Sequence, residues 1–206
     1  MIGLLLLLAT SYLVGSIPTA YLVGRSVKGI DIRKHGSGNV GATNVFRVVG
    51  RKWGIAVLLL DVLKGVFASQ IMPSIFRSSS SGIPIPFVFH LACGVSAIAG
   101  HTWTVWLRFK GGKGVATSAG VFLALAPKAA SFALLFWAFV FWWKRYVSLA
   151  SIATAVAFPL WVFLFYRGTK RFSFLFPISL VLVVFILYTH RENLRRLCNG
   201  AEKRLF

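Results

Sequence analysis

The sequence predicts an all-α integral membrane protein with seven transmembrane helices, its N-terminus outside and its C-terminus cytoplasmic. Three observations carry this prediction. Hydrophobic residues make up 57% of the 206-residue chain and charged residues 13%, which is more apolar surface than a soluble core of this size buries. The apolar residues gather into stretches of about bilayer length. Most of the 23 Lys and Arg fall in the alternate connections between those stretches, as topology signals do.

The first stretch, residues 2 to 24, has no Lys or Arg before Arg25, so it lacks the positive leader of a cleaved signal and is expected to remain in the mature protein. Further spans follow at 53 to 73, 84 to 103, 114 to 127, 128 to 143, 147 to 166 and 172 to 189. Residues 114 to 143 could form one tilted helix or two short ones hinged at Pro127-Lys128. Lys110 and Lys113 precede the stretch and Lys144 and Arg145 follow it, so both ends belong on the cytoplasmic side and a hairpin is required. Arg77, Lys128, Arg167, Lys170 and Arg171 are then external, Lys64 lies within a span, and the other 17 of the 23 cations are cytoplasmic. The serine-rich connector Arg77 to Pro86 reads as a solvated loop.

A net charge of +19 raises the question of nucleic acid, but the cations sit in short clusters between apolar spans. No basic helix or aromatic platform of the kind RNA modules use is present, which leaves membrane lipid and anionic substrates as the partners. Cys93 lies in an apolar segment and Cys198 in a basic tail, so both are expected to be free thiols. The four His and four acids show no ligand spacing, and neither a metal nor another cofactor is expected.

The polar motifs fall on the cytoplasmic side. In RFKGGKGVAT, residues 108 to 117, Gly111, Gly112 and Gly114 bare the backbone N–H groups and Lys110 and Lys113 add charge ahead of a new helix, which suits an anion. The spacing is not that of a Walker loop, and a tight basic turn would look similar. A second loop, GSGNVGATN at 36 to 44, supplies Ser37, Gly38, Asn39, Thr43 and Asn44, with Arg47 as a bidentate anion partner. Hydroxyls, amides and bare backbone without negative charge suit a phosphate or a glycerol hydroxyl better than a metal.

In KRYVSLAS, residues 144 to 151, Ser148 and Ser151 fit a helix cap and a packing serine as well as they fit ligand contacts. His190 and Asn193 share a face if helical. A lone boundary histidine is usually structural, but the adjacent asparagine and two glycine loops on the same side favour a site. Asp61 and Lys64, three apart within a span, should face the bundle as an ion pair; a proton pathway would need more intramembrane acids than the chain has.

Taken together, YLVGSIP at 12 to 18, GSGNVGATN, Gly100-His101 followed by FKGGKGVAT, KRYVSLAS, and His190-x-x-Asn193 with the later Gly200-x-Glu202 resemble the bacterial acyl-phosphate:glycerol-3-phosphate acyltransferases, the PlsY type. The likeness runs through nearly the whole chain in order. One departure is Thr104, where the family usually carries proline, with Trp106 nearby in place of a common phenylalanine.

The resemblance implies a multi-pass enzyme of the bacterial inner membrane with cytoplasmic active-site loops. It would transfer a fatty acyl group from acyl phosphate to the sn-1 hydroxyl of glycerol 3-phosphate, giving lysophosphatidic acid and phosphate. Gly111, Gly112, Lys113 and Gly114 would then hold one phosphate, and Ser37 and Arg47, with Gly38 and Asn44, a second. Asn39, Ser151, His190 and Asn193 would position the glycerol hydroxyl, Ser148 would contact substrate or its phosphate, and Glu202 would do so too, or orient His190 or an arginine, or anchor the tail. The proton could pass to His190 or to a donor phosphate oxygen.

A small-anion or phosphate transporter would share the basic loops but should show repeated halves, and a lipid-binding scaffold would leave the paired glycine loops unexplained. The charge asymmetry predicts that an impermeant thiol reagent reaches Cys198 in inverted vesicles and not in intact cells. Labelling in intact cells would reverse the orientation.

Overall fold

The computed structural model describes residues 2–76 and 86–206, and among them every regular element is helical. Residues 77–85, most of the expected serine-rich connector, lie outside the described residues. The chain divides into two compact units, Met1–Leu125 and Ala126–Phe206.

In the first unit the expected continuous helix over 2 to 24 is two helices, α1 (Ile2–Ser16) and α2 (Thr19–Lys28). Pro18 has no N–H to donate to the preceding turn, and its ring disfavours helical geometry at Ile17. Carbonyls at the break take side-chain donors instead: Thr104 Oγ1 donates to the Ser16 carbonyl at 2.5 Å and Lys64 Nζ to the Ile17 carbonyl at 3.2 Å. Thr104 adopts φ −67°, the value a proline ring imposes, so this backbone accepts either residue, and the threonine adds the tie to α1.

After a turn at Ile32–Lys34 come α3 (Ala42–Val48) and α4 (Arg51–Val66), the latter continuing through a π turn at Phe67–Ile71 into α5 (Met72–Phe76). Then α6 (Phe87–Thr102), a turn at Val105–Leu107 and α7 (Val115–Leu125) complete the unit. Asp61 and Lys64 form the expected ion pair at 2.8 Å, with side chains 1% and 7% exposed, and Thr19 Oγ1 donates to the same Asp61 oxygen at 2.6 Å.

Two helix pairs approach backbone to backbone, α1 with α6 and α4 with α7. A Cβ on Gly15 or Gly100 would strike the main chain at Ala97 or Tyr12, and one on Gly65 or Gly120 the main chain at Thr117 or Val62. Association through small residues is how helices pack where lipid removes the hydrophobic drive between them.

The second unit holds α8 (Pro127–Lys144), α9 (Val147–Tyr166), α10 (Phe172–Thr189) and α11 (Arg191–Cys198). The break expected at Pro127-Lys128 lies at Ala126, with Pro127 opening α8, where its missing N–H costs nothing. Aromatic pairs lock α8 to α9, with Phe132 against Phe165 at 4.8 Å and Phe136 against Trp161 at 5.4 Å. The irregular tail returns to the α8–α9 turn, where Leu205 N–H donates to the Arg145 carbonyl at 3.0 Å and Phe206 packs edge-on against Phe141.

Among the described residues four stretches are long and apolar enough to cross a membrane: Ile2–Lys28, Arg51–Ile75, Val147–Tyr166 and Phe172–Thr189. The 11-residue α7 reaches roughly 16 Å at 1.5 Å per residue, short of a hydrocarbon core about 30 Å thick.

Candidate active site

Asn44 organises the first glycine loop rather than lining it. Its amide nitrogen lies within hydrogen-bond distance of the carbonyls of Ile32, His35 and Asn39, and its Oδ1 accepts from the Ser37 N–H at 2.9 Å. The side chain is 1% exposed and every one of its groups is engaged within the loop. Asp31 steadies the loop's entry: hydrogen bonds from the Arg33 guanidinium hold its carboxyl down to about 2. Ser37 is exposed and Asn39 half-buried, and no hydrogen bond ties either side chain to another described residue. Arg47 lies half-buried in the last turn of α3.

The second loop departs from its expected mechanism. Arg108 and Phe109 take left-handed conformations, which turn the chain back onto the end of α6. There Gly111 N–H donates to the Thr102 carbonyl at 2.9 Å and Gly112 N–H to the His101 carbonyl at 3.1 Å. Those two donors are therefore not open to an anion. Gly111 and Gly112 are required by proximity instead, because a Cβ on Gly111 would strike the His101 carbonyl and one on Gly112 the His101 imidazole.

The same Cβ on Gly112 would come within 2.8 Å of the Val40 carbonyl, so the two glycine loops meet at this point. One step further along the chain come Lys113, Gly114 at φ +79°, and the first turn of α7, whose N–H groups have no acceptor within the helix. Two hydroxyls in that turn, Thr117 Oγ1 and Ser118 Oγ, are buried without a partner among the described residues, as is Thr102 Oγ1 beside His101. Hydroxyl residues in the first turn after a glycine-rich basic loop were a legible signal, and reading the glycines as the ligands passed over it.

In the second unit Glu202 is the centre of a network. Ser148 Oγ donates to Oε1 at 2.7 Å, Asn193 Nδ2 to the same oxygen at 2.6 Å, and Arg196 Nε to Oε2 at 2.7 Å. A carboxylate so occupied is a brace, holding an arginine as one of the expected readings of Glu202 has it. Ser151 is likewise committed: its hydroxyl donates to the Val147 carbonyl at 2.8 Å and accepts from Trp137 Nε1 at 3.1 Å. It joins α8 to α9.

His190 is 3% exposed, and its Nδ1 sits 3.0 Å from the Ile186 carbonyl, an acceptor that places a proton on Nδ1. Asn193, 6% exposed, stands one turn further on in α11.

A family model described as glycerol-3-phosphate acyltransferase matches residues 5–200. The chain belongs to the glycerol-3-phosphate acyltransferase family. It is 43% identical to the glycerol-3-phosphate acyltransferase of Chlorobium phaeobacteroides (strain DSM 266 / SMG 266 / 2430), over 100% of this chain and 97% of that relative. Among solved structures it resembles PlsY (YgiH), an integral membrane glycerol 3-phosphate acyltransferase, in its glycerol 3-phosphate form, at 41% identity and a TM-score of 0.83 over 98% of this chain and 94% of that one. The lysophosphatidic acid form of the same protein aligns with a TM-score of 0.81 over the same shares and at the same identity. The fold is thus that of an all-helical integral membrane acyltransferase.

Burial pushes the Glu202 carboxyl up, but the bonds from Ser148, Arg196 and Asn193 outweigh burial and hold it below its ordinary value. A folded value below the unfolded one means that the brace is fully stabilising above the unfolded carboxylate range and is lost as pH falls through the folded value. Glu202→Gln should lower the melting temperature in detergent by several degrees at pH 7. The difference from wild type should shrink below about pH 4, and a gap independent of pH would contradict the brace.

Proposed function

We propose that the chain transfers a fatty acyl group from acyl phosphate to the sn-1 hydroxyl of glycerol 3-phosphate, releasing lysophosphatidic acid and inorganic phosphate. Residues 1–206 act as one acyltransferase domain of a bacterial inner membrane, crossing it seven times with the N-terminus outside and the C-terminus and polar loops in the cytoplasm. The observation that carries this reading is the meeting of the two glycine-rich loops, Gly112 lying against the Val40 carbonyl, with Lys113 and Asn39 the neighbouring residues in sequence. Two phosphate-bearing substrates suit such a pair of loops, and the relative solved with glycerol 3-phosphate and with lysophosphatidic acid supports both the acceptor and the product.

The hydroxyl oxygen attacks the acyl carbon, the carbon–oxygen bond to phosphate breaks, and the phosphate departs with the bonding pair. An acyl phosphate already carries a good leaving group, so no enzyme nucleophile is required. Lys113 and the α7 donors stabilise the charge that collects on the phosphate, with Arg47 and Ser37 on the second phosphate. Gly111, Gly112 and Gly38 shape the loops that present these groups. His190 takes the hydroxyl proton at Nε2, and Asn39 and Asn193 orient the glycerol, Asn193 being held in place by Glu202.

Purified protein given acyl phosphate and glycerol 3-phosphate should form a monoacyl lipid and release one phosphate per turnover, and acyl-CoA should not replace the donor. Lys113→Ala should lower kcat/KM by roughly 10². His190→Ala should reduce kcat at saturating substrate and flatten the pH–rate profile near the imidazole range. Turnover with acyl-CoA alone, or a fully active His190→Ala enzyme, would overturn the assignment it tests.

A further inference from the structure

The proposed chemistry leaves the buried imidazole of His101 without a role. His101 ends α6 with its ring 7% exposed, and its two nitrogens face different things. Nδ1 points to Asp61 Oδ1 at 3.7 Å, the oxygen that also takes Lys64 Nζ at 2.8 Å and the Thr19 hydroxyl at 2.6 Å. Nε2 lies against Gly112, so close that no side chain fits between them, with the Val40 carbonyl of the other loop bordering the same space. The His101 carbonyl accepts the Gly112 N–H, so one residue grips the loop by both its ring and its main chain.

We infer that His101 is a positioning residue of the acyl-transfer site, its imidazole acting as a wedge between the Asp61–Lys64 pair and Gly112 that holds the glycine loop, and with it Lys113 and the start of α7, in the conformation that binds phosphate. The inference rests on the reading of that loop as a phosphate cradle. The physical logic is that of orientation. A loop of three glycines has few side-chain contacts to fix it and loses the most conformational entropy on ordering, so a rigid partner must define it. The imidazole is itself fixed, because Asp61 is clamped by Lys64 and Thr19 and cannot follow a displaced ring. A displacement of about 1 Å in groups that align a reacting substrate is enough to cost about 10²-fold in rate.

The test compares two polar replacements. His101→Asn keeps an amide near the Nδ1 position facing Asp61 and loses the atom against Gly112, whereas His101→Gln reaches the Nε2 position. Inorganic phosphate, a product of the proposed reaction, is the probe, with its dissociation constant measured by calorimetry on detergent-solubilised protein. The kinetic constants for acyl phosphate and glycerol 3-phosphate are measured beside it.

His101→Asn should weaken phosphate binding about tenfold or more and raise KM for a phosphate substrate, while His101→Gln stays within a few-fold of wild type. Melting temperatures should be alike for the two variants. Equal losses in both variants, tracking a shared fall in melting temperature, would reduce His101 to a packing residue and overturn the inference, as would phosphate affinity unchanged in His101→Asn. Wild-type protein that binds phosphate yet shows no turnover would sink the proposed reaction alone, leaving the phosphate measurements to decide on His101. Wild-type protein that binds no phosphate would overturn the wedge itself.

Discussion

Asp61 and Lys64 are the constraint around which the first unit is arranged. Two charges this deeply buried are tolerable only when paired and when their remaining hydrogen-bonding capacity is met. The break in the first apolar span supplies what they need. Pro18 interrupts the helix, Lys64 takes the carbonyl that the break exposes at Ile17, and Thr19, the first residue of the next helix, gives its hydroxyl to Asp61. The pair stabilises the break, and the break completes the solvation of the pair. Neither is arranged well without the other, which is the cooperative property of buried polar networks.

From that knot the order passes outward to the polar loops. His101 stands against Asp61 on one side and Gly112 on the other, and Thr104 ties the loop after α6 to the end of α1. Glycines serve two different ends along this route. Gly65 and Gly120 let α4 and α7 approach backbone to backbone, which fixes where α7 begins. Gly111 and Gly112 let the loop lie on the end of α6, and from Lys113 and Gly114 the chain enters α7. The tail of the second unit uses a carboxylate for the same purpose, with Glu202 gathering Ser148, Asn193 and Arg196.

Helical character, the split between α7 and α8 and the pairing of Asp61 with Lys64 were all legible in the sequence, because apolar length, a proline and an isolated pair of opposite charges have few alternative meanings. The interruption at Pro18 was not, since a proline within an apolar run reads equally as a tolerated kink, and the residues that stabilise it lie 42 to 88 positions away. The site residues divide on the same principle. Arg47, Lys113 and His190 have cationic or titratable side chains and are recognisable by type as candidates for the proposed chemistry. Asn44, Ser148, Ser151 and Glu202 are polar residues in polar motifs whose partners are carbonyls, a tryptophan or one another, and pattern alone does not distinguish a side chain that binds substrate from one that holds the binding loop.

The dependence of the first unit on the buried pair is most directly tested by a double-mutant cycle on Asp61→Ala and Lys64→Met, read as unfolding free energy in detergent. Each single change strands a buried charge and should cost about 3–5 kcal/mol, while the double variant should be more stable than either single one. Additive losses, with the double variant the least stable of the set, would contradict a shared knot and show that the two charges are separately solvated.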